Sequence, residues 1–482
     1  MLYWRRSMAN NSSANISLDD FLYENFRGSS KVSEKGLVSK TIDEAVAIIS
    51  REGKSWIAVK KIPAGETVNV TYAFAKANDA GLENPSDKFK LAYKEALGRV
   101  SDVANITFSE ADINKGGDIT VRYTGNGGTS SSTFPGNGTW TRFDSDISSD
   151  LKTFSSRGIH EVGHSVGLSH PGDYDSVSGV AAHRAYLEDD TYYTVMSYNT
   201  TRYSDDNQGR PATYGIDDIA TLQKLYGANN QTRSTDTTYG FHSNIQEKSF
   251  LKFYSLTEST ASLKAPYTIW DAGGSDTLDF SGFSQDQRIT LRDGELSDVG
   301  GMHFGVGIAQ GAVIENASGG SGNDIIIGNN ANNYIAGHAG NDVIYGAAGA
   351  DTLSGGEGND TFVYRSNADS SLTSLGQKPD GSAINSLADI DLSKLIGSID
   401  TISDFNSGQD KIDLSFLRID EGNAVKLQLV NTLPQHSGEL ALNYFEDTNI
   451  TLLTSYVSDA LPAPDFAVKI VGQVSFAHDI IA

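Results

Sequence analysis

From Gly319 to Val363 the chain repeats every nine residues, and that period restricts the fold more than any other feature of the sequence. The five units are GGSGNDIII, GNNANNYIA, GHAGNDVIY, GAAGADTLS and GGEGNDTFV. Glycine opens every unit. The sixth position is Asp324, Asn333, Asp342, Asp351 and Asp360; the eighth is Ile326, Ile335, Ile344, Leu353 and Phe362. Glycines at the first positions allow a tight turn with carbonyls facing inward, and the sixth residue adds a carboxylate. Calcium takes six to eight oxygens at about 2.3–2.6 Å, and stacked turns can supply them from two loops at once. One turn cannot bury its own apolar residue, so the units must stack into a parallel β-roll. A flexible Gly/Asp linker would have no use for in-phase apolar residues. The candidate calcium donors in these turns are Gly320, Gly322, Asp324, Asn333, Gly337, Ala339, Gly340, Asp342, Gly346, Ala347, Gly349, Asp351, Gly355, Gly356, Gly358 and Asp360. Asn333 lacks charge, so a site leaning on it should be weaker.

The acidic balance fits such a use of carboxylates. Asp and Glu number 61 against 37 Lys and Arg, a formal charge of −24. That sign argues against nucleic acid or an anionic membrane as partner. With no cysteine there are no disulfides, and bound calcium would serve as the staple. No apolar run reaches 18 residues, so no membrane span is expected. Met1 to Leu18 has Arg5 and Arg6 but no apolar stretch after them, unlike a Sec signal peptide. Ser7 to Ser17 reads as disordered or removable, with Met8 a second possible start.

The first half mixes helix and strand. Ser86 can cap a helix carrying Phe89, Ala92, Tyr93, Ala96, Val100 and Val103 on one face. Val68–Phe74, Asn105–Phe108 and Asp118–Tyr123 read as strands, and Thr124–Gly138 as loop and edge strand. Further helices are expected over Ser155–Leu168 and Asp217–Tyr226, the second stopping at Gly227. After about Asn229 helical periodicity fades. Asn367–Ile399 breaks the nine-residue pattern and reads as a surface insertion, after which Asp400–Leu417 returns to strand-and-turn texture. The expected organisation is an N-terminal segment 1–18, an α+β domain 19–230, and an all-β domain 231–482.

Residues 160–170, HEVGHSVGLSH, carry the chemistry. His160 and His164 lie one helical turn apart on one face, so both imidazoles can reach a single cation. Gly167 lets the chain leave the helix, and the turn returns His170 as a third nitrogen. Three neutral ligands leave an open position for water and substrate, the arrangement of a catalytic zinc. Glu161 can take a proton from the water and pass it to a leaving amine. The remaining histidines, His183, His242, His303, His338, His436 and His478, read as structural or solvent-exposed.

The extended HExxHxxGxxH pattern followed by a methionine turn marks the metzincin metallopeptidases. His160–Tyr174 and Met196-Ser197-Tyr198 resemble the serralysin family of bacterial secreted metalloproteases. The resemblance runs from about Leu18 to Ala482 and is weakest over the first 60 residues, Thr124–Ser155 and the insertion. It implies a metzincin catalytic domain followed by a calcium-binding parallel β-roll, with one catalytic zinc and several structural calcium ions. Met196 would floor the metal; Tyr198 would be a movable extra zinc ligand that stabilises the oxyanion. Thr232–Phe241, Trp270–Gly282 and Ser297–Gly301 resemble segments that bind further calcium. The implied ligands are the carbonyls of Arg233, Thr235 and Thr237, with Asp271, Gly273, Gly274, Asp276 and Glu315. Asp369 and Asp400 match a later calcium, with the insertion between them. The family also implies protein substrates, a short propeptide, a monomer, a proteinaceous inhibitor as possible partner, and secretion to the extracellular space. Export would use a type I ABC exporter that reads an uncleaved acidic–apolar tail, here Asp479-Ile480-Ile481-Ala482.

Two other classes compete. One is a calcium-dependent adhesin carrying an inactive protease fold, against which stand the intact His160, Glu161, His164 and His170. The other is a lipase with the same repeats, against which stands the lack of a G-x-S-x-G elbow.

Overall fold

The computed structural model describes residues 17–481, apart from 34–35, 78–80, 125–129, 145–150, 175–183, 200–209, 246–252, 258–264, 379–381, 418–426 and 457–463. His183, most of the N-terminal segment, Ala482 and residues 125–129 of the expected edge segment therefore lie outside the described residues.

Helix α1 (Leu18–Asn25) starts where disorder was expected to end. The Ser17 hydroxyl accepts the Asp20 N–H and the Asp20 carboxylate accepts the Ser17 N–H, a reciprocal cap. Thr41 and Glu44 cap α2 (Ile42–Ile49) in the same way. After α3 (Trp56–Lys60) come β1 (Val68–Phe74), α4 (Asp87–Val103), β2 (Ile106–Glu110), β3 (Ile119–Thr124), β4 (Ser131–Ser132) and β5 (Thr139–Asp144). Ser86 caps α4 through the Phe89 N–H, and the six apolar residues read as its inner face are buried. The sheet order is β2-β1-β3-β5-β4, parallel except for the antiparallel edge strand β4. Helices α4 and α5 (Leu151–Ser165) pack on this sheet through Phe89, Tyr93, Phe143, Ile159 and Val162. Each such side chain contributes roughly 1.5–3 kcal/mol by leaving water. Helix α6 (Ile216–Tyr226) ends at Gly227, whose φ of 81° a side chain would resist.

The C-terminal half stacks a nine-stranded sheet on a twelve-stranded one. Strands 325–327, 343–345 and 361–363 build one sheet, and 316–318, 334–339 and 352–357 the other, all parallel. Each circuit thus takes 18 residues, two units per turn of a roll. The five eighth-position residues are all at most 1% exposed and fill the space between the sheets.

Two features differ from the sequence reading. The 367–399 segment is more than a surface insertion: strands Ser371–Ser374 and Ile396–Ser398 pair, and Leu372, Leu375, Ile390 and Ile399 bury against Leu433, Leu452 and Ala467. A second difference concerns α1, which crosses the boundary drawn near residue 230. Phe21 packs with Ile327, Tyr345 and Val363 of the roll, the Asn25 amide bonds both backbone groups of Leu296, and Glu24 pairs with Arg288 at 2.7 Å.

Candidate metal centre

Helix α5 presents His160, Glu161 and His164, then stops at Gly167, whose φ is 106°. The Leu168 N–H closes the helix on the Gly163 carbonyl at 2.9 Å, and the chain turns back to deliver His170. This return is strapped to the turn after α2. The Ser169 N–H reaches the Ile49 carbonyl at 2.8 Å, and the Arg51 guanidinium donates to the His170 carbonyl.

The three histidines converge. Their Nε2 atoms lie 3.0 Å apart for His164 and His170 and 3.2 Å apart for His170 and His160. Nitrogens about 2.0–2.1 Å from a tetrahedral zinc would stand about 3.3 Å from one another. The opposite ring faces are fixed by backbone: Nδ1 of His160 donates to the Val195 carbonyl at 2.8 Å and Nδ1 of His164 to the Leu168 carbonyl at 2.7 Å. With the proton on Nδ1, each of these rings turns an Nε2 lone pair toward the common point. Burial pushes the imidazoles down, His160 to about 4, His170 to about 3 with help from its His160 and Arg51 neighbours, and His164 well below its usual value. Neutral rings are the metal-binding form. Among the described residues these three form a group able to hold a metal ion. Two lone pairs and a third imidazole nitrogen brought to one point fit a metal ion. Glu161 sits beside His160 on the helix, 7% exposed.

Met196 is fully buried beneath the helix, and a Cβ on Gly163 would come within 2.8 Å of its sulfur. The turn that carries it hangs on Asp218 of α6, a residue the sequence reading did not single out. The Asp218 carboxylate accepts the Thr194 hydroxyl at 2.6 Å, the Val195 N–H at 2.7 Å and the Gly215 N–H at 3.0 Å. Burial pushes Asp218 up to about 7 against those hydrogen bonds. Asp218 thereby positions Val195, whose carbonyl orients His160. In sequence it is only one of two acids in the first turn of a helix, where acids are common.

Tyr198 is 41% exposed, with its ring centroid 4.6 Å from that of His170. It stacks on Tyr174 at 4.8 Å, whose hydroxyl donates to Asp189; the Ser197 hydroxyl donates to the same Asp189 oxygen at 2.6 Å. Tyr198 thus rests on a fixed platform and keeps part of its ring exposed.

In the roll the sixth-position residues form ladders. The Asp324 N–H bonds Oδ1 of Asp342 at 2.8 Å, and the Asp342 N–H bonds Oδ1 of Asp360 at 2.9 Å. On the other side the Asn333 N–H bonds Asp351 at 2.8 Å and the Asp351 N–H bonds Asp400 at 2.9 Å, although 49 residues separate that last pair. The second oxygens of Asp276, Asp342, Asp351, Asp360 and Asp400 are buried without a hydrogen-bond partner. Burial, reinforced by neighbouring carboxylates, pushes Asp342 up to about 8, Asp351 and Asp276 to about 7, and Asp400 well up. Such oxygens in rows between loops fit divalent cations. Asp324 and Asn333 instead close their own turns, accepting the Gly320 and Asn329 N–H groups. The Asn333 amide also donates to the Glu315 carbonyl at 3.0 Å.

The upstream segments meet as well. The Asp276 carboxylate accepts the Thr237 N–H at 2.7 Å, the Glu315 carboxylate accepts the Asp276 N–H at 2.7 Å, and a Cβ on Gly274 would touch Thr235 and Asp236. Asp369, by contrast, spends its carboxylate on the Arg365 and Ser366 N–H groups of its own turn.

Known proteins match both halves. The family model for the serralysin C-terminal domain of M10 peptidases matches residues 228–398 and 379–482. "Metalloprotease AprA" of Pseudomonas entomophila (strain L48) is 38% identical, over 96% of this chain and 94% of that protein. "Serralysin C" of Dickeya chrysanthemi is 39% identical over 98% and 97%, and "Serralysin" of Proteus mirabilis 38% over 93% and 94%. A three-histidine centre on a helix and the turn after it, joined to a parallel β-roll, defines this chain as a metalloendopeptidase. It belongs to the serralysin family.

Proposed function

We propose that this chain is a secreted endopeptidase that hydrolyses peptide bonds of extracellular proteins at a zinc ion held by His160, His164 and His170, with calcium stiffening its roll. The observation that carries the reading is the convergence of the three imidazoles, the His170 Nε2 lying 3.0 Å from that of His164 and 3.2 Å from that of His160. Residues 19–230 are then the metzincin-type catalytic domain and 231–482 the calcium-binding domain. Bound at the three histidines, zinc would polarise the scissile carbonyl and acidify a water.

The chain's own residues supply the rest. Glu161 accepts a proton from that water at its carboxylate and returns it to the departing amine. Tyr198, exposed beside His170, donates its hydroxyl proton toward the developing oxyanion. Strand β4 lies at the sheet edge, where an extended peptide can add as a further strand. Asp276, Asp342, Asp351, Asp360 and Asp400, with their turn carbonyls, hold structural calcium. Export by a type I ABC exporter, reading residues 479–482, completes the account of a secreted enzyme; a proteinaceous inhibitor is a further expected partner.

Casein hydrolysis tests the central step. Glu161→Gln should lower kcat by about 10²–10⁴-fold with the fold retained by circular dichroism. Undiminished activity in that variant, or after a zinc chelator, would refute the mechanism.

A further inference from the structure

The roll does not end with its tandem units. In the nine-stranded sheet each sixth-position Asp stands immediately before a short strand: Asp324 before 325–327, Asp342 before 343–345, Asp360 before 361–363. The same placement recurs outside the array, at Asp410 before Lys411–Asp413 and at Asp479 before Ile480–Ile481. Ile326 pairs with Ile344, Ile344 with Phe362 and Phe362 with Ile412, which sets Asp324, Asp342, Asp360 and Asp410 in one line; Ile412 then pairs with Ile480, so Asp479 stands one residue out of that line, level with Lys411. The Asp360 N–H bonds the Asp410 carboxylate at 3.1 Å, which carries the ladder across the insertion.

At the outermost rung the carboxylate chemistry changes. Asp342 and Asp360 each leave one buried oxygen without a hydrogen-bond partner. Asp479 is just as buried, 0% exposed, but both its oxygens are taken by protein donors. One accepts the Ser407 hydroxyl at 2.6 Å and the Ser475 N–H at 2.8 Å, the other the Gly408 N–H at 2.9 Å. The Lys411 ammonium bonds the His478 carbonyl at 2.6 Å, and the Leu414 N–H bonds the Ile481 carbonyl at 2.7 Å. Protein donors thus occupy the carboxylate where Asp342 and Asp360 each keep a partnerless oxygen. A rung completed by hydrogen bonds, with a strand of two residues, is how a stacked sheet can stop without offering a long edge to another chain.

We propose that residues 475–481 are the closing rung of the roll, a cap sealed by the Asp479 carboxylate in place of calcium, and that calcium-driven folding of the roll withdraws this segment into the sheet. The calcium half of the inference rests on the reading under Proposed function.

Hydrogen–deuterium exchange on the full chain tests this, in the Glu161→Gln background to prevent self-digestion. Amides of 475–481 should become protected, at least tenfold slower in exchange, at the same calcium concentration that protects 343–363. Free exchange of 475–481 in saturating calcium, or equal protection with and without it while 343–363 responds, overturns the proposal. If 343–363 does not respond either, the calcium reading itself has failed, and the linkage with it. Asp479→Ala should raise the calcium midpoint of the 343–363 protection at least threefold. Asp479→Asn, which keeps one acceptor oxygen, should raise it less; an unchanged midpoint in both variants counts against the cap.

Discussion

Asp218 never approaches the metal site closely enough to be a ligand, yet it decides where one ligand points. Its carboxylate fixes Thr194, Val195 and Gly215, and the Val195 carbonyl fixes His160. Asp218→Ala would leave the Thr194 hydroxyl and the Val195 and Gly215 N–H groups without their acceptor, and each unmade buried hydrogen bond costs about 1–3 kcal/mol. The expected result is a 10–100-fold loss in zinc affinity, measured by competition with a chromophoric chelator, as for other groups that orient metal ligands. Unchanged affinity would show that His160 is held by other means. Gly163 makes a second residue-scale case. A methyl group there would press on the Met196 sulfur, so Gly163→Ala should cost about 1–3 kcal/mol in denaturant unfolding, and Met196→Ala in the same chain should recover part of it. The zinc motif was legible because its ligands lie within eleven residues on one helix and its turn. Asp218 and Arg51 were not, because their partners are distant in sequence and nothing local marks them.

At the scale of the element, the roll carries ladders of carboxylates whose buried, partnerless oxygens favour a bound cation. Asp342 stands between Asp324 and Asp360 and has a partnerless buried oxygen. Asp342→Ala should therefore lower the number of bound calcium ions and raise the calcium needed for folding at least tenfold, read by calorimetric titration and circular dichroism. A variant that binds the full complement would contradict the assignment. The period of nine made the tandem rungs legible. Of the later rungs, Asp400 was reached only through the family resemblance and Asp410 was not singled out, since long intervening segments break the period while the three-dimensional register continues. The small core of the insertion escaped notice for a similar reason. Its apolar residues are too sparse to show a period, and they bury against Leu433, Leu452 and Ala467 from far along the chain.

For the whole molecule, the two halves are tied by helix α1. Phe21 is fully buried against Ile327, Tyr345 and Val363, while Arg27, two residues after α1, forms a two-point ion pair with Asp217 beside Asp218. Phe21→Ala should cost about 3–5 kcal/mol and couple the halves less tightly. Calcium removal, which in the parent should lower the melting temperature of both halves together, should then unfold the roll ahead of the zinc half. Scanning calorimetry with and without chelator reads this as one transition becoming two; a single unshifted transition would argue that α1 carries no coupling. The most direct test of the whole account is metal content measured beside peptide hydrolysis in one preparation. Calcium-loaded protein should hold one zinc per chain in both the parent and Glu161→Gln, with peptide bonds cut only by the parent. A chain that cuts peptides equally well with its zinc removed, or that never holds a transition metal, would contradict it.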